Sequence, residues 1–179
     1  MKKKLSILGT STLIGTSTTS LVACNTPQEY TKEKLEHLKK ENQINTDNQE
    51  IKDNLEWIAP QEKPFNTVDN KWYYVVWKKD KWEISKILRN YPIEVGKEYN
   101  IYKDNNYELK FFRSINNTNK IRDASLFYTS EKPFAFRKWG ENNSDYINYI
   151  KAVYRWNLDT NINISDLLDI DENGNIKVK

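Results

Sequence analysis

Apolar residues follow a helical spacing before about residue 65 and a strand-like spacing after it. In the first part, Thr31 can cap a helix that runs to about Glu41, with Leu35 and Leu38 as a thin apolar stripe. Most of the other residues in this segment are charged or polar. The pattern predicts a solvated helix within a polar, helical or flexible stalk.

A second helix is expected inside the same stalk. Thr46 begins a capping-box pattern, and Ile51, Leu55 and Ile58 follow it at helical spacing. We expect this helix, together with Trp57, to dock on the folded domain. The polar stalk is therefore placed at residues 24–64 and the globular domain at residues 65–179.

Beyond residue 67 the spacing of apolar residues is two, which predicts strands at 72–77 and 82–88. The intervening residues 78–81 predict a four-residue loop built around a type I turn. This register places Trp77 opposite Trp82 and Val75 opposite Ile84.

Further strands are predicted along the rest of the domain, at 99–103, 107–113, 121–129 and 134–139. Ser144 can cap a helix that continues to Asn157, because apolar residues recur there at helical spacing. A short helical or turn segment at 165–170, a turn at 171–174 and an edge strand at 176–179 complete the chain. The expected fold class is α+β, an antiparallel β-meander of about five to six strands packed by this C-terminal helix.

The first 24 residues form the pattern of an export leader. Lys2, Lys3 and Lys4 precede residues 5–22, in which apolar residues alternate with Ser, Thr and Gly. This segment lacks the unbroken run of about 18 apolar residues that a membrane-spanning helix needs. Ala23 stands directly before Cys24, the single cysteine of the chain. This arrangement matches the bacterial lipobox, in which the peptide is cut before a cysteine whose sulfur receives a diacylglyceryl group.

Residues 1–25 also resemble the leaders of spiroplasma-type mollicute membrane lipoproteins, through the Leu-Ser-Ile-Leu-Gly-Thr start and the middle rich in Ser, Thr and Gly. The resemblance implies a signal peptide at residues 1–23 and a lipid anchor at Cys24. It implies a protein held on the extracellular face of the cell membrane, and it assigns no activity to the domain.

The charge of the mature chain argues against a nucleic-acid partner. Of the 28 basic residues, three precede Cys24, whereas none of the 25 acidic residues does, so the mature chain has 25 of each. Nucleic-acid binding usually needs a basic patch and a net positive charge. With Cys24 acylated, the domain also folds without a disulfide.

Candidate chemistry is sparse. His37 is the one histidine and lies on the stalk helix, so the sequence offers neither a His-dependent nucleophile nor a His/Cys metal site. Asp169, Asp171 and Asn173 copy half of an EF-hand loop, which we interpret as a turn. Residues 132–139 resemble the stacking strand of an RNA-recognition motif, which we interpret as a chance match. We expect no catalytic residue, metal or cofactor.

The favoured function is non-catalytic binding or adhesion at the cell surface. The partners expected are the membrane, through acylated Cys24, and a protein or glycan of a host or cell surface. Candidate contacts are the aromatic residues that escape the core among Trp72, Tyr74, Tyr102, Phe112 and Trp139. Two alternatives stay open, a carboxylate-based hydrolase of extracellular polymers and a structural or antigenic coat protein. Two acids within about 10 Å in a cleft would favour the hydrolase.

Overall fold

The computed structural model describes residues 29–131, 134–141, 149–159 and 164–179. The leader, Cys24 and the start of the predicted C-terminal helix lie outside the described residues. Two short helices come first, α1 at Lys32–Glu41 and α2 at Gln49–Asn54. The strands are β1 (Leu55–Ile58), β2 (Trp72–Lys78), β3 (Trp82–Leu88), β4 (Glu98–Lys103), β5 (Tyr107–Phe112), β6 (Ser125–Glu131), β7 (Phe134–Lys138), β8 (Ile150–Trp156), β9 (Leu168–Ile170) and β10 (Ile176–Val178).

These strands form two four-stranded antiparallel sheets and a separate hairpin. The first sheet has the order β1-β8-β2-β3, the second has the order β4-β5-β6-β7, and β9 pairs with β10. The α+β prediction with one meander and a C-terminal helix is therefore wrong, because the protein is mostly β. Among the described residues after Asn54, the helical segments are single 3₁₀ turns at Pro60–Glu62, Pro64–Asn66 and Ile164–Asp166.

The largest correction concerns the segment predicted as the C-terminal helix. Residues Ile150–Trp156 form β8, which lies between β1 and β2 in the first sheet. Ile150 and Val153 face one apolar cluster, while Ala152, Tyr154 and Trp156 face another. A strand covered on both faces is apolar at nearly every position, so its spacing does not distinguish it from a helix.

The β2–β3 hairpin has a register one residue away from the predicted one. Lys78 pairs with Trp82 and Val76 with Ile84, so the loop contains three residues rather than four. Trp77 consequently faces Glu83, not Trp82. Because residues 73–77 of β2 are buried on both faces, the pattern of apolar residues could not fix the register.

The two helices differ in how well the sequence located them. Thr31 caps α1 as predicted, since its hydroxyl accepts a hydrogen bond from the Lys34 N–H at 3.3 Å. The second helix is shorter than predicted: Asn48 is its N-cap, and it ends at Asn54. The following residues, Leu55–Ile58, form β1 and pair with β8. The division of the chain at residue 64 stays a prediction.

Two apolar clusters hold the molecule together. The first lies between the sheets, where Tyr73, Val75 and Trp77 of β2 meet residues of the second sheet such as Leu109 and Phe111. The second covers the other face of the first sheet and includes side chains from α2 and from the β9–β10 hairpin. The first sheet is thus covered on both faces. In the described part of the chain, no helix is long and apolar enough to cross a membrane.

Candidate functional site

The outward face of the second sheet carries a group of phenylalanine rings. Phe112 of β5, Phe127 of β6 and Phe136 of β7 lie side by side, with ring centroids 6.0 Å and 5.2 Å apart along the row. Phe134, two residues before Phe136, points to the same side because side chains alternate along a strand. Phe134 is 82 % exposed and Phe136 is 50 % exposed. We call these four residues the phenylalanine face.

The alternation along the strands explains why these rings are outside. Their immediate neighbours, such as Phe111, Leu126 and Ala135, are buried in the cluster between the sheets. Pleating sends every second residue to the opposite side, and none of the four rings of the phenylalanine face belongs to either apolar cluster. It is an outward apolar surface produced by strands whose other face builds the core.

Beside the phenylalanine face lies an ionic cluster centred on Lys110. The Lys110 Nζ lies 2.8 Å from the Glu98 carboxylate and 2.6 Å from the Glu108 carboxylate. Burial acts to raise the pKa of Glu108, but hydrogen bonds from Lys110 and Lys103 outweigh it and hold that pKa below its usual value. Burial likewise acts to lower the pKa of Lys110, but its hydrogen bonds to Glu108 and Glu98 hold that pKa above its usual value, so Glu108 and Lys110 stay charged near neutral pH. They form a polar border along the apolar rings.

Of the five aromatic residues predicted as contacts, Phe112 lies on this face. Trp72 packs against the second cluster, with the Lys86 Nζ 4.2 Å from its ring centroid. Tyr74 is fully buried. The structure therefore does not gather the predicted residues into one site.

The remaining two predicted residues also serve other contacts. The Tyr102 ring lies 5.2 Å from that of Trp77, and its hydroxyl donates to the Asp104 carboxylate at 2.6 Å. Trp139 packs 5.7 Å from Phe65 at the cluster between the sheets. Both rings are half-buried and act as edges of the core.

Phe127, Phe134 and Phe136 were missed by sequence reasoning. A signal was present, because Phe134 and Phe136 flank the small residue Ala135 in the segment that resembles an RNA-recognition strand. The structure places both rings on one outward face, as that motif does. Residues 132 and 133 of the segment lie outside the described residues. The sheet around it is a simple meander, β4-β5-β6-β7.

Apart from the phenylalanine face, the structure has a cleft between α1, α2 and β1. This cleft, of about 520 Å³, is large enough for a small ligand. At its edge the Lys39 Nζ contacts the Glu56 carboxylate and lies 2.6 Å from the Glu62 carboxylate. Glu56 also accepts a hydrogen bond from Arg155 at 2.8 Å. The carboxylates of Glu56 and Glu62 therefore contact the same ammonium group. Two acids close together at a cleft are the feature that would favour the hydrolase hypothesis.

The lowered pKa of Glu56 does not suit a carboxyl that donates a proton in hydrolysis. Burial acts to raise the pKa of Glu56, but hydrogen bonds from Lys39 and Asn157 and the charges of Lys39 and Arg155 hold it below its usual value. Glu62 uses its carboxylate to accept from the Ala59 N–H at 3.1 Å. A glycosidase needs one carboxyl whose pKa is raised so that it can donate a proton. This cluster is better explained as the contact that holds α1 on β1.

Residues that could bind a metal are dispersed over the structure. The described ranges of the chain contain no group of three or more His, Cys, Asp or Glu side chains that could hold an ion. His37 is exposed and lies 3.2 Å from Glu41 on the same helix. The Asp171 carboxylate accepts from the N–H groups of Asn173 and Asn175, so the half EF-hand is the turn of the β9–β10 hairpin.

Comparison with known proteins adds no relative from which a function could be transferred. No protein-family model, no curated protein and no solved structure matches the chain. Any functional assignment therefore rests on the leader and on the geometry of the phenylalanine face.

Proposed function

We propose that this protein is a lipid-anchored cell-surface lipoprotein whose domain binds a ligand, without catalysis, through the phenylalanine face. The lysines, apolar segment and Ala23-Cys24 pair of the leader support the anchor. Two acyl chains hold a protein on a bilayer stably, whereas one holds it marginally. The domain would then be displayed on the extracellular side of the membrane.

The observation that carries the binding proposal is the row of rings on the outward face of the second sheet. Exposed single apolar residues are common on protein surfaces, but contiguous apolar patches mark interaction sites. Phe127 touches both Phe112 and Phe136, so the patch is continuous across three strands. The ligand is therefore one with an extended apolar side.

Two ligand classes fit this surface. A glycan offers the C–H face of each sugar ring, and a polypeptide offers aliphatic or aromatic side chains. A phenylalanine ring carries no hydrogen-bonding group, so polar contacts would come from the neighbouring cluster of Glu98, Glu108 and Lys110. The charged cluster in the α1–β1 cleft supports the hydrolase alternative less well, because its Glu56 is held ionised.

The test is a thermal-shift screen of oligosaccharides and peptides with two matched double variants. One removes rings of the phenylalanine face, Phe127→Ala with Phe136→Ala. The control removes exposed apolar side chains elsewhere, Val68→Ala with Leu167→Ala. A ligand at one hundred times its Kd stabilises a protein by about 2.7 kcal/mol, and each kcal/mol raises the melting temperature by about 2–4 °C for a domain of this size.

We expect at least one compound to raise the melting temperature of the native protein and of the control variant, and not that of the ring variant. A shift that survives in the ring variant would place binding elsewhere and contradict the proposal. If no compound in either class shifts the native protein, the binding proposal fails and a structural coat protein becomes the better hypothesis.

A further inference from the structure

The chain between β5 and β6 forms a two-stranded extension of the second sheet, residues 113–122, which we call the hairpin arm. Ile115 and Ile121 pair across it as a β-bridge. The Arg122 N–H donates to the Ser114 carbonyl at 2.9 Å. At the tip, the Asn116 side chain accepts from the N–H groups of Thr118 and Lys120 at 3.0 Å and 2.9 Å. The arm therefore has a defined shape of its own.

The surface of the arm is both apolar and basic. Ile115 is 54 % exposed and Ile121 is 60 % exposed. Arg113, Lys120 and Arg122 lie on the same short segment, and no acidic residue occurs between Glu108 and Asp123. Exposed aliphatic side chains with surrounding cations are the combination that binds the boundary of an anionic lipid bilayer.

The described chain begins very close to the predicted anchor. The Tyr30 N–H donates to the Gln61 side chain at 2.6 Å, and the Gln61 amide donates back to the Tyr30 carbonyl at 3.0 Å. Six residue steps separate Tyr30 from Cys24. At about 3.3–3.6 Å per residue, they reach at most about 22 Å. A lipid on Cys24 would therefore hold the Gln61 region within about 22 Å of the bilayer.

The region around Gln61, which binds Tyr30, also contacts the base of the hairpin arm. Two residues after Gln61, the Lys63 Nζ lies 3.1 Å from the Asp123 carboxylate. Asp123 directly follows the arm, and the Asn66 side chain donates to it at 2.7 Å. The segment that receives the N-terminal tether is thus fastened to the base of the arm.

We propose that the hairpin arm lies against the anionic headgroups of the same membrane that holds the lipid anchor. This inference rests on the proposed lipidation of Cys24. It goes beyond the proposed binding function because it gives the domain an orientation. The arm faces the bilayer, and the β4–β5 turn at Asn105, at the opposite end of the second sheet, faces away from it.

The test places a polarity-sensitive fluorophore at one of two positions in the full lipoprotein, reconstituted into vesicles. Asn117→Cys labels the tip of the arm, and Asn105→Cys labels the far turn as the matched control. Labelling is specific because the Cys24 sulfur is acylated. The vesicles contain phosphatidylcholine with or without phosphatidylglycerol, and brominated lipid quenches fluorophores that touch the bilayer.

In phosphatidylglycerol vesicles we expect the label at 117 to be quenched several-fold more than the label at 105. The excess should fall in Lys120→Gln with Arg122→Gln, because each cation near an anionic surface changes lipid partitioning by about five-fold.

Equal quenching at 117 and 105 in protein that floats with the vesicles would overturn the arm contact and leave the anchor intact. The proposed headgroup contact would be overturned if quenching at 117 were the same with and without phosphatidylglycerol and did not change in the variant that lacks the two cations. Protein that does not float with vesicles would overturn the anchor and the arm contact together.

Discussion

The two sheets use aromatic residues in opposite ways. In the first sheet, five consecutive residues of β2 from Tyr73 to Trp77 are buried, because one apolar cluster lies on each face. In the second sheet, Phe134 and Phe136 of β7 are exposed while Ala135 between them is buried. Rings in the first sheet contribute to the free energy of folding, whereas Phe134 and Phe136 on the outward face of the second remain exposed.

This difference follows from what covers each sheet. Residues of α2, β9 and β10, with Ile44 and Ile164, close the outer face of the first sheet. The four rings of the phenylalanine face belong to neither apolar cluster, and Phe134 and Phe136 are exposed. Fully burying a large apolar side chain stabilises a protein by about 1.5–3 kcal/mol, and an exposed ring gains little of that. Folding therefore gains little from the rings of Phe134 and Phe136, which are the two exposed rings of the phenylalanine face.

The largest expected effect comes from removing a ring of the first sheet. Trp77→Ala should lower the free energy of unfolding by about 3–5 kcal/mol, because it leaves a cavity between the sheets and removes the contacts with Tyr102 and Tyr128. The matched change on the second sheet, Phe134→Ala, should change it by less than about 0.5 kcal/mol. Urea denaturation of both variants measures the two values. A loss of several kcal/mol in Phe134→Ala would show that its ring is covered.

A smaller effect is expected at the joint between the sheets. Gly140 follows β7 with φ +82°, and a Cβ added there would lie 2.4 Å from the Pro60 Cβ. Gly140→Ala should therefore lower the free energy of unfolding by about 2–4 kcal/mol, through backbone strain and displacement of Pro60.

Gly96→Ala is the matched control. Its φ is +78°, and no atom lies within 4 Å of an added Cβ. It should cost about 1–2 kcal/mol from backbone strain alone. Equal losses in the two variants would show that the end of β7 does not pack on Pro60.

The predicted strands match β2 and β3 of the first sheet and overlap all four strands of the second. The other two strands of the first sheet, β1 and β8, fall in segments predicted as helices. For β8 the reason is that apolar residues on both faces of a central strand remove the alternation. The β2–β3 register failed for the same reason. The pattern of apolar and polar residues identifies a strand with one covered face far better than a strand with both faces covered.

The candidate site was harder to predict than the strands. The predicted contacts include Phe112, but they also include Tyr74, which lies on the face of β2 that the second cluster covers. Which side of a strand is covered depends on elements distant in sequence, such as α2 and β9. The rings of β6 and β7 lie outside both apolar clusters. The local pattern of apolar residues does not show this, because it depends on where distant elements pack.

Hydroxyl-radical footprinting of the six phenylalanines, read by mass spectrometry, measures directly whether the phenylalanine face is open to solvent. We expect fast modification of Phe134 and Phe136, intermediate rates at Phe112 and Phe127, and strong protection of Phe65 and Phe111, which are buried between the sheets. A ligand found in the screen should slow the first four selectively. Protection of Phe134 and Phe136 to the level of Phe111 in the free protein would show that the face is covered, and the proposed binding surface would be wrong.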